Sequence, residues 1–173
     1  QQRLTLPSKG AQMLNDFWEY DPTTNAWTSK ASFPLYVYGA TGYKIGNKGY
    51  VTCGTSSSTP TGSGSLSVLH YEYDPVLDSW TVKSTFPGVA RQGGFAFELS
   101  NKGYYGMGTN GGFHDIWQYD PLSDSWTARQ DFPGANLYYP VGFSIANTGF
   151  ILITLSKTVW QYNSSSDSWI ARS

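Results

Sequence analysis

Few side chains in this sequence are equipped for chemistry. The 173 residues hold two histidines, His70 and His114, one cysteine, Cys53, and three glutamates, Glu19, Glu72 and Glu98. A metal centre needs several His, Cys or carboxylate ligands converging on one point. Counted back from the tyrosines Tyr73 and Tyr119, His70 stands at the third residue and His114 at the fifth, in different copies of a recurring pattern, with no third histidine. A hydrolytic pair of carboxylates fares no better: Glu19 and Glu72 fill one repeat position that Gln118 and Gln161 fill elsewhere. Asp16 and Asp115 match each other, Asp21, Asp74, Asp120, Asp78, Asp124 and Asp167 are turn residues, and Asp131, Glu98 and Arg91 are unmatched. Two histidines assemble no Ser-His-Asp arrangement. Gly111-Gly112 after Thr109-Asn110 is a turn, since a phosphate loop requires a helix to follow it. Cys53 sits in the apolar stretch Tyr50 to Gly54, as a small core residue does. The expectation is a chain without catalytic residues, metal or cofactor.

The elements that would position any site come from a repeat. Tyr20-Asp21-Pro22 recurs as Tyr73-Asp74-Pro75 and Tyr119-Asp120-Pro121, and in altered form as Tyr162-Asn163-Ser164. Seven residues after each tyrosine stands a tryptophan: Trp27, Trp80, Trp126 and Trp169, at intervals of 53, 46 and 43 residues. A second mark is Asn47-Lys48-Gly49-Tyr50, Asn101-Lys102-Gly103-Tyr104 and Asn147-Thr148-Gly149-Phe150. A third is Phe33-Pro34, Phe86-Pro87 and Phe132-Pro133. Triplets such as Trp18-Glu19-Tyr20 alternate aromatic and polar, so both rings face one side of a strand. Asp-Pro ends that strand, and Asn25, Asp78, Asp124 and Asp167 begin the return strand after a four- to five-residue loop. In the Asn-Lys-Gly pieces the expectation is that Gly49, Gly103 and Gly149 supply positive φ in tight turns. Phe-Pro falls in the connections, where proline blocks ladder pairing. No stretch has the period and caps of a helix.

Each unit is thus two hairpins, or four strands, and an isolated sheet with aromatics on both faces must stack on its neighbours. On the Tyr-x6-Trp spacing and the apolar strand before a glycine, the chain resembles the kelch family of β-propellers. The Phe-Trp-Glu-Tyr-Asp-Pro, Asn-Lys-Gly-Tyr and Phe-Pro marks are most similar to kelch-type repeats of exported proteins from Bacteroidetes-like bacteria. The resemblance implies an all-β fold of four-stranded blades over residues 1–173: a truncated blade at 1–30, with Ser8-Lys9-Gly10-Ala11 as a degraded turn, then blades at 31–83, 84–129 and 130–173. The family's double glycine survives in part, at Cys53-Gly54-Thr55 and Gly106-Met107-Gly108 but not at Ile153-Thr154. Its arginine survives as Arg91, with Tyr38 and Leu137 at the matching offset. A copper radical oxidase, an enzyme precedent on this fold, needs two His, two Tyr and a Cys crosslinked to a Tyr; here His70 and His114 stand in different blades and Cys53 reads as a core residue. Three and a half blades make a small ring, a fragment of a larger propeller, or a half completed by association. A partial or partner-completed propeller is favoured.

Loops on such a scaffold are where binding residues sit. The insertion Thr55 to Ser65 is one candidate, as a recognition loop or a floppy solvated one. The segments after each Phe-Pro are another, expected to enter the innermost strands and ring a central channel. They supply Tyr36, Tyr38, Arg91, Gln92, Tyr138 and Tyr139, with Phe113 and His114 nearby; Tyr and Arg are favoured anchors for partners. Net charge is −1, so no basic footprint for nucleic acid exists, and the longest apolar run, Phe150 to Ile153, is too short to span a bilayer. The expected function is a non-enzymatic protein-binding or scaffold module, secreted, periplasmic or on a cell surface, with a protein partner or a second copy completing the propeller. A carbohydrate-binding or sugar-processing propeller is the alternative, with a glycan as ligand.

Overall fold

Period-two alternation becomes strand wherever it occurs. The computed structural model describes residues 13–109, 112–135, 139–153 and 158–172, and no helix occurs among them. The first hairpin joins β1 (Phe17–Asp21) to β2 (Ala26–Lys30). Next come β3 (Tyr36–Tyr38), β4 (Thr41–Ile45), β5 (Lys48–Thr52), β6 (Thr55–Ser57), β7 (Ser65–Leu66), β8 (His70–Asp74) and β9 (Ser79–Val82). Of these, β4-β5-β8-β9 form the first four-stranded antiparallel sheet. The second is β10 (Phe95–Leu99), β11 (Lys102–Gly106), β12 (Ile116–Asp120) and β13 (Ser125–Arg129). The third is β14 (Val141–Ile145), β15 (Thr148–Ile153), β16 (Thr158–Asn163) and β17 (Ser168–Arg172). Strand β10 lies beside both β4 and β14, whereas β4 and β14 do not meet, so the described residues close no ring. The proposed degraded turn at residues 8–11 lies outside the described residues.

The hairpin turns carry the junctions between sheets. Asp21, Asp74, Asp120 and Asn163 cap their own turns by accepting backbone amides, from Thr23 and Val76 at 2.8 Å, Leu122 at 3.0 Å and Ser165 at 2.9 Å. Asn25, Asp78, Asp124 and Asp167 do not begin the return strand. Each closes the turn in the left-handed conformation, with φ between 47° and 53°, which short polar side chains tolerate. Their side chains then face back to the tyrosine five residues earlier, which donates its hydroxyl to them: Tyr20 at 2.8 Å, and Tyr73, Tyr119 and Tyr162 at 2.6 Å.

In three turns the same carboxylate oxygen accepts a second bond, from a residue just past the last strand of the preceding unit. Ala31 N donates to Asp78 at 2.9 Å, Ser84 N to Asp124 at 3.0 Å and Gln130 N to Asp167 at 3.0 Å. The carbonyls of those residues accept the indole N–H of Trp80, Trp126 and Trp169, at 2.8, 2.8 and 3.0 Å. Tyr, Asp and Trp therefore clamp one residue of the preceding connection by both of its backbone groups. Two residues further on, Phe33, Phe86 and Phe132 are buried and meet the tryptophans edge-on, at 4.9, 5.5 and 5.4 Å. Their amides bond back to Asn15, Val68 and His114 of the unit the chain is leaving, so each connection is stapled to two sheets at once.

Gly49, Gly103 and Gly149 lie within β5, β11 and β15 and not at the positive-φ sites of the turns, which are Gly46, Ser100-Asn101 and Ala146-Asn147. At Gly103 and Gly149 the purpose is space. A Cβ on Gly103 would stand 2.6 Å from the Tyr43 ring of the sheet before it, and one on Gly149 would stand 2.5 Å from Phe97. Tyr43 and Phe97 also stack on their cross-strand partners Tyr50 and Tyr104, at 5.6 and 5.4 Å. Each sheet thus presents a ring from its first strand, and the next sheet receives it against a glycine.

Chemical denaturation of four variants measures these contributions. Trp126→Ala removes a clamp bond and packing on Phe86, His70 and Tyr119 and should cost about 3 kcal/mol. Trp27→Ala, at a side chain 65% exposed, should lie within about 0.5 kcal/mol of wild type. Gly103→Ala should cost about 1–3 kcal/mol through overpacking. Gly49→Ala, whose Cβ would meet Tyr73 at an ordinary 3.6 Å, should not destabilise.

Candidate functional site

The segments that precede β4, β10 and β14 converge at one end of the sheets. Each passes through a left-handed residue two positions before its strand: Gly39 at φ 64°, Gly93 at φ 64° and Tyr139 at φ 54°. Each of the first two receives a side chain from the following segment. Gln92 lies over Gly39, where an added Cβ would meet the Gln92 Cβ at 3.2 Å, and the Tyr139 ring lies over Gly93, where the distance would be 2.9 Å. Backbone bonds hold the first two segments in place: Gly93 N to Gly39 O, Gly54 N to Arg91 O and Thr109 N to Gln92 O, all 2.8 Å. Thr55 Oγ1 donates to Gln92 Oε1 at 2.7 Å. Tyr38 and Tyr139 stand out from this face, 53% and 60% exposed. Tyr139 is the odd member, since a bulky residue in the left-handed region is strained by roughly 1–2 kcal/mol.

The insertion after β5 adds to the same end. Thr55–Ser57 pairs with Tyr36–Tyr38 and with Ser65–Leu66, and Leu14 bridges to Val37, so this stretch is an ordered small sheet. Tyr36 is half-buried within it, and the segment Tyr36–Tyr38 pairs here instead of running into the four-stranded sheet.

Other candidates are internal. Arg91 is buried, holds Asp115 with two bonds at 2.5 and 2.9 Å, and donates to Val89 O and Met107 O. Its guanidinium covers the Phe113 ring at 3.9 Å and faces Phe86 at 4.9 Å. This is an internal staple and not an exposed anchor. Asp115 also takes the Trp117 indole at 2.9 Å, as Asp16 takes that of Trp18 at 2.7 Å, which accounts for their matched positions. His114 is half-buried, its Nδ1 at 2.9 Å from Phe132 O. Tyr138 lies outside the described residues. The strand-ending pair Cys53-Gly54 has its counterpart in Met107-Gly108, all four with positive φ. The buried Cys53 thiol is pushed up to about 11 by desolvation, so it is an inert core group.

His70, the first residue of β8, is fully buried in a cage of rings: Tyr50 at 5.5 Å, Tyr119 at 4.3 Å and Trp126 at 4.9 Å. Its Nε2 lies 3.1 Å from the Tyr43 hydroxyl and its Nδ1 3.3 Å from Ser84 O. Burial lowers its pKa to about 4. Between the first and second sheets is an open cleft of about 480 Å³, lined by Ile45, Tyr50, Glu72 and Leu122. Its polar groups are paired with one another: Tyr50 with Glu72 at 2.6 Å, Lys102 with Asp120 at 2.6 Å, and Lys48 with Asp74.

Among the described residues no three His, Cys, Asp or Glu side chains gather to hold a metal ion, and no helix is long and apolar enough to cross a membrane. No protein-family model matches the chain, and no curated protein matches it either. What sequence reasoning missed is the grip of Asp78, Asp124 and Asp167 on the preceding connection. The signal was the constant five-residue offset from the tyrosine. The partner residues are 47, 40 and 37 positions away, beyond the reach of any local pattern.

The buried neutral histidine gives stability a pH dependence. Unfolded His70 takes up a proton near pH 6.5 and folded His70 near pH 4, so the unfolded state binds more protons between those values. The stabilisation is complete above about pH 6.5, is lost as pH falls towards about 4, and amounts to roughly 3 kcal/mol. Urea midpoints taken between those pH values should fall steadily for the wild type. They should be much flatter for His70→Gln, even though that variant is less stable at neutral pH.

Proposed function

We propose that the chain is a non-enzymatic binding module whose sheets are kelch-type propeller blades, and that it takes part in a larger assembly outside the cell or on its surface. Taken as blades, the units would run over 1–30, 31–83, 84–129 and 130–173; the first hairpin falls in the first span and one four-stranded sheet in each of the others, with the three-stranded β3-β6-β7 sheet also in the second. The partner is a protein, bound on the face formed by Tyr38, Gln92 and Tyr139. One observation carries this reading. At the position where Gly39 and Gly93 take the left-handed backbone without strain, Tyr139 takes it with strain and holds an exposed ring. Strain of this kind persists where a site uses it. The ordered β3-β6-β7 sheet supplies a rigid rim, so partner contact costs little ordering entropy.

A carbohydrate reading has the same two exposed tyrosines in its favour, because their rings can stack on sugars. A peptide library and a glycan array, both probed with the purified chain, distinguish the two. Peptides that bind wild type and lose at least about tenfold in affinity on Tyr139→Gly or Tyr38→Ala are expected. Glycan binding with the same sensitivity would transfer the function to the second reading. Tyr139→Gly should at the same time raise stability by about 1 kcal/mol. A variant that neither gains stability nor loses binding would remove the basis of the assignment.

A further inference from the structure

Among the described residues, both junctions between four-stranded sheets join a leading face to a trailing face. The leading face is the first strand's ring with the first residue of the third strand: Tyr43 with His70, then Phe97 with Ile116. The trailing face is the next unit's tyrosine and tryptophan: Tyr119 with Trp126, then Tyr162 with Trp169. Among the described residues, one face of each kind is uncovered. On β14, Val141, Phe143 and Ile145 are 48%, 40% and 61% exposed, whereas their counterparts Phe95, Phe97 and Leu99 are at 1%, 3% and 1%. On the first hairpin, Tyr20 and Trp27 are exposed where Tyr119 and Tyr162 are fully buried. The clamp there is already assembled, with Tyr20 donating to Asn25 at 2.8 Å and its ring 5.0 Å from Trp27. The first hairpin and the third sheet do not touch.

We infer that these two faces bind each other between copies of the chain: the β14 face of one molecule docks head to tail on the Tyr20-Asn25-Trp27 face of a second. The second copy is the occupant because the contact continues an interface the chain already makes twice. The β14 face offers the ring and aliphatic side chains that Tyr119 and Tyr162 cover internally, and the first hairpin offers the matching tyrosine and tryptophan. With a net charge of −1, copies repel each other little. Such a contact is heterologous and makes a closed ring or an open series according to its rotation. The inference rests on the repeat geometry and is independent of the ligand assigned to the Tyr38–Tyr139 face.

Sedimentation at rising micromolar concentration tests it, with species heavier than the 19.1 kDa chain expected. Phe143→Asp on one face, or Trp27→Arg on the other, should each weaken association by about 30-fold or more, as loss of a central anchor does. Two singly substituted proteins, Ser29→Cys, two residues along β2 from Trp27 and exposed, and Val141→Cys, should be linked by a short bis-maleimide only when mixed, since Cys53 is buried. A chain that stays at 19.1 kDa throughout, or thiol links that form between identical faces in either protein alone, would overturn the proposal. Either result leaves the peptide and glycan measurements unaffected.

Discussion

One oxygen atom on the last residue of each of three hairpin turns holds this molecule in series. In Asp78, Asp124 and Asp167 it accepts a tyrosine hydroxyl from its own hairpin and an amide from the unit before. Hydrogen bonds to a carboxylate are the strong class. The hydroxyl and amide together hold the Asp78 carboxyl below the usual range. The nearby indole takes the carbonyl of the same residue, so no backbone group at the crossing goes unsatisfied. Without this grip a connection carrying Phe-Pro would have no ladder to join, because proline cannot donate to one. With it, the phenylalanine is delivered onto the tryptophan.

The second constraint is the spacing of sheets. Rings on the first strand of one sheet require that the next sheet carry no side chain opposite, and Gly103 and Gly149 meet that need. Gly103 and Gly149 are the cross-strand partners of the clamp tyrosines Tyr119 and Tyr162, so the clamp and the space for the neighbouring ring are built side by side at the same junction. A sheet held by both has little freedom to slide against the one before it.

Much of this was legible in the sequence, for identifiable reasons. The alternation in Trp18-Glu19-Tyr20 and its copies gave strands, and the Asp-Pro turns fell where expected, because both are local properties of a few adjacent residues. The glycines of the Asn-Lys-Gly marks misled, since a glycine beside a turn signals positive φ as readily as it signals a neighbouring ring. Only the distant Tyr43 and Phe97 decide between the two. Arg91 carried the same ambiguity. An unmatched arginine suits an exposed anchor, and its buried pairing with Asp115 depends on how two loops fold together. The sheet formed by Thr55–Ser57 was hidden because that stretch of serine, threonine and glycine lacks apolar alternation, and its partner strand is supplied by Tyr36–Tyr38. Tyr139 was placed among binding candidates by residue type, but its strained backbone has no sequence signal.

The direction of the clamp fixes an order in time. Each hairpin takes hold of a connection that precedes it in the chain, never one that follows. During synthesis the strand ends therefore emerge first and wait, and each is seized when the hairpin some forty residues behind it leaves the ribosome. Assembly runs from the amino end, one sheet at a time. At every stage the newest sheet shows the same kind of apolar face that β14 shows here. The nascent chain is in that sense always one unit short, and its exposed edge moves along with translation.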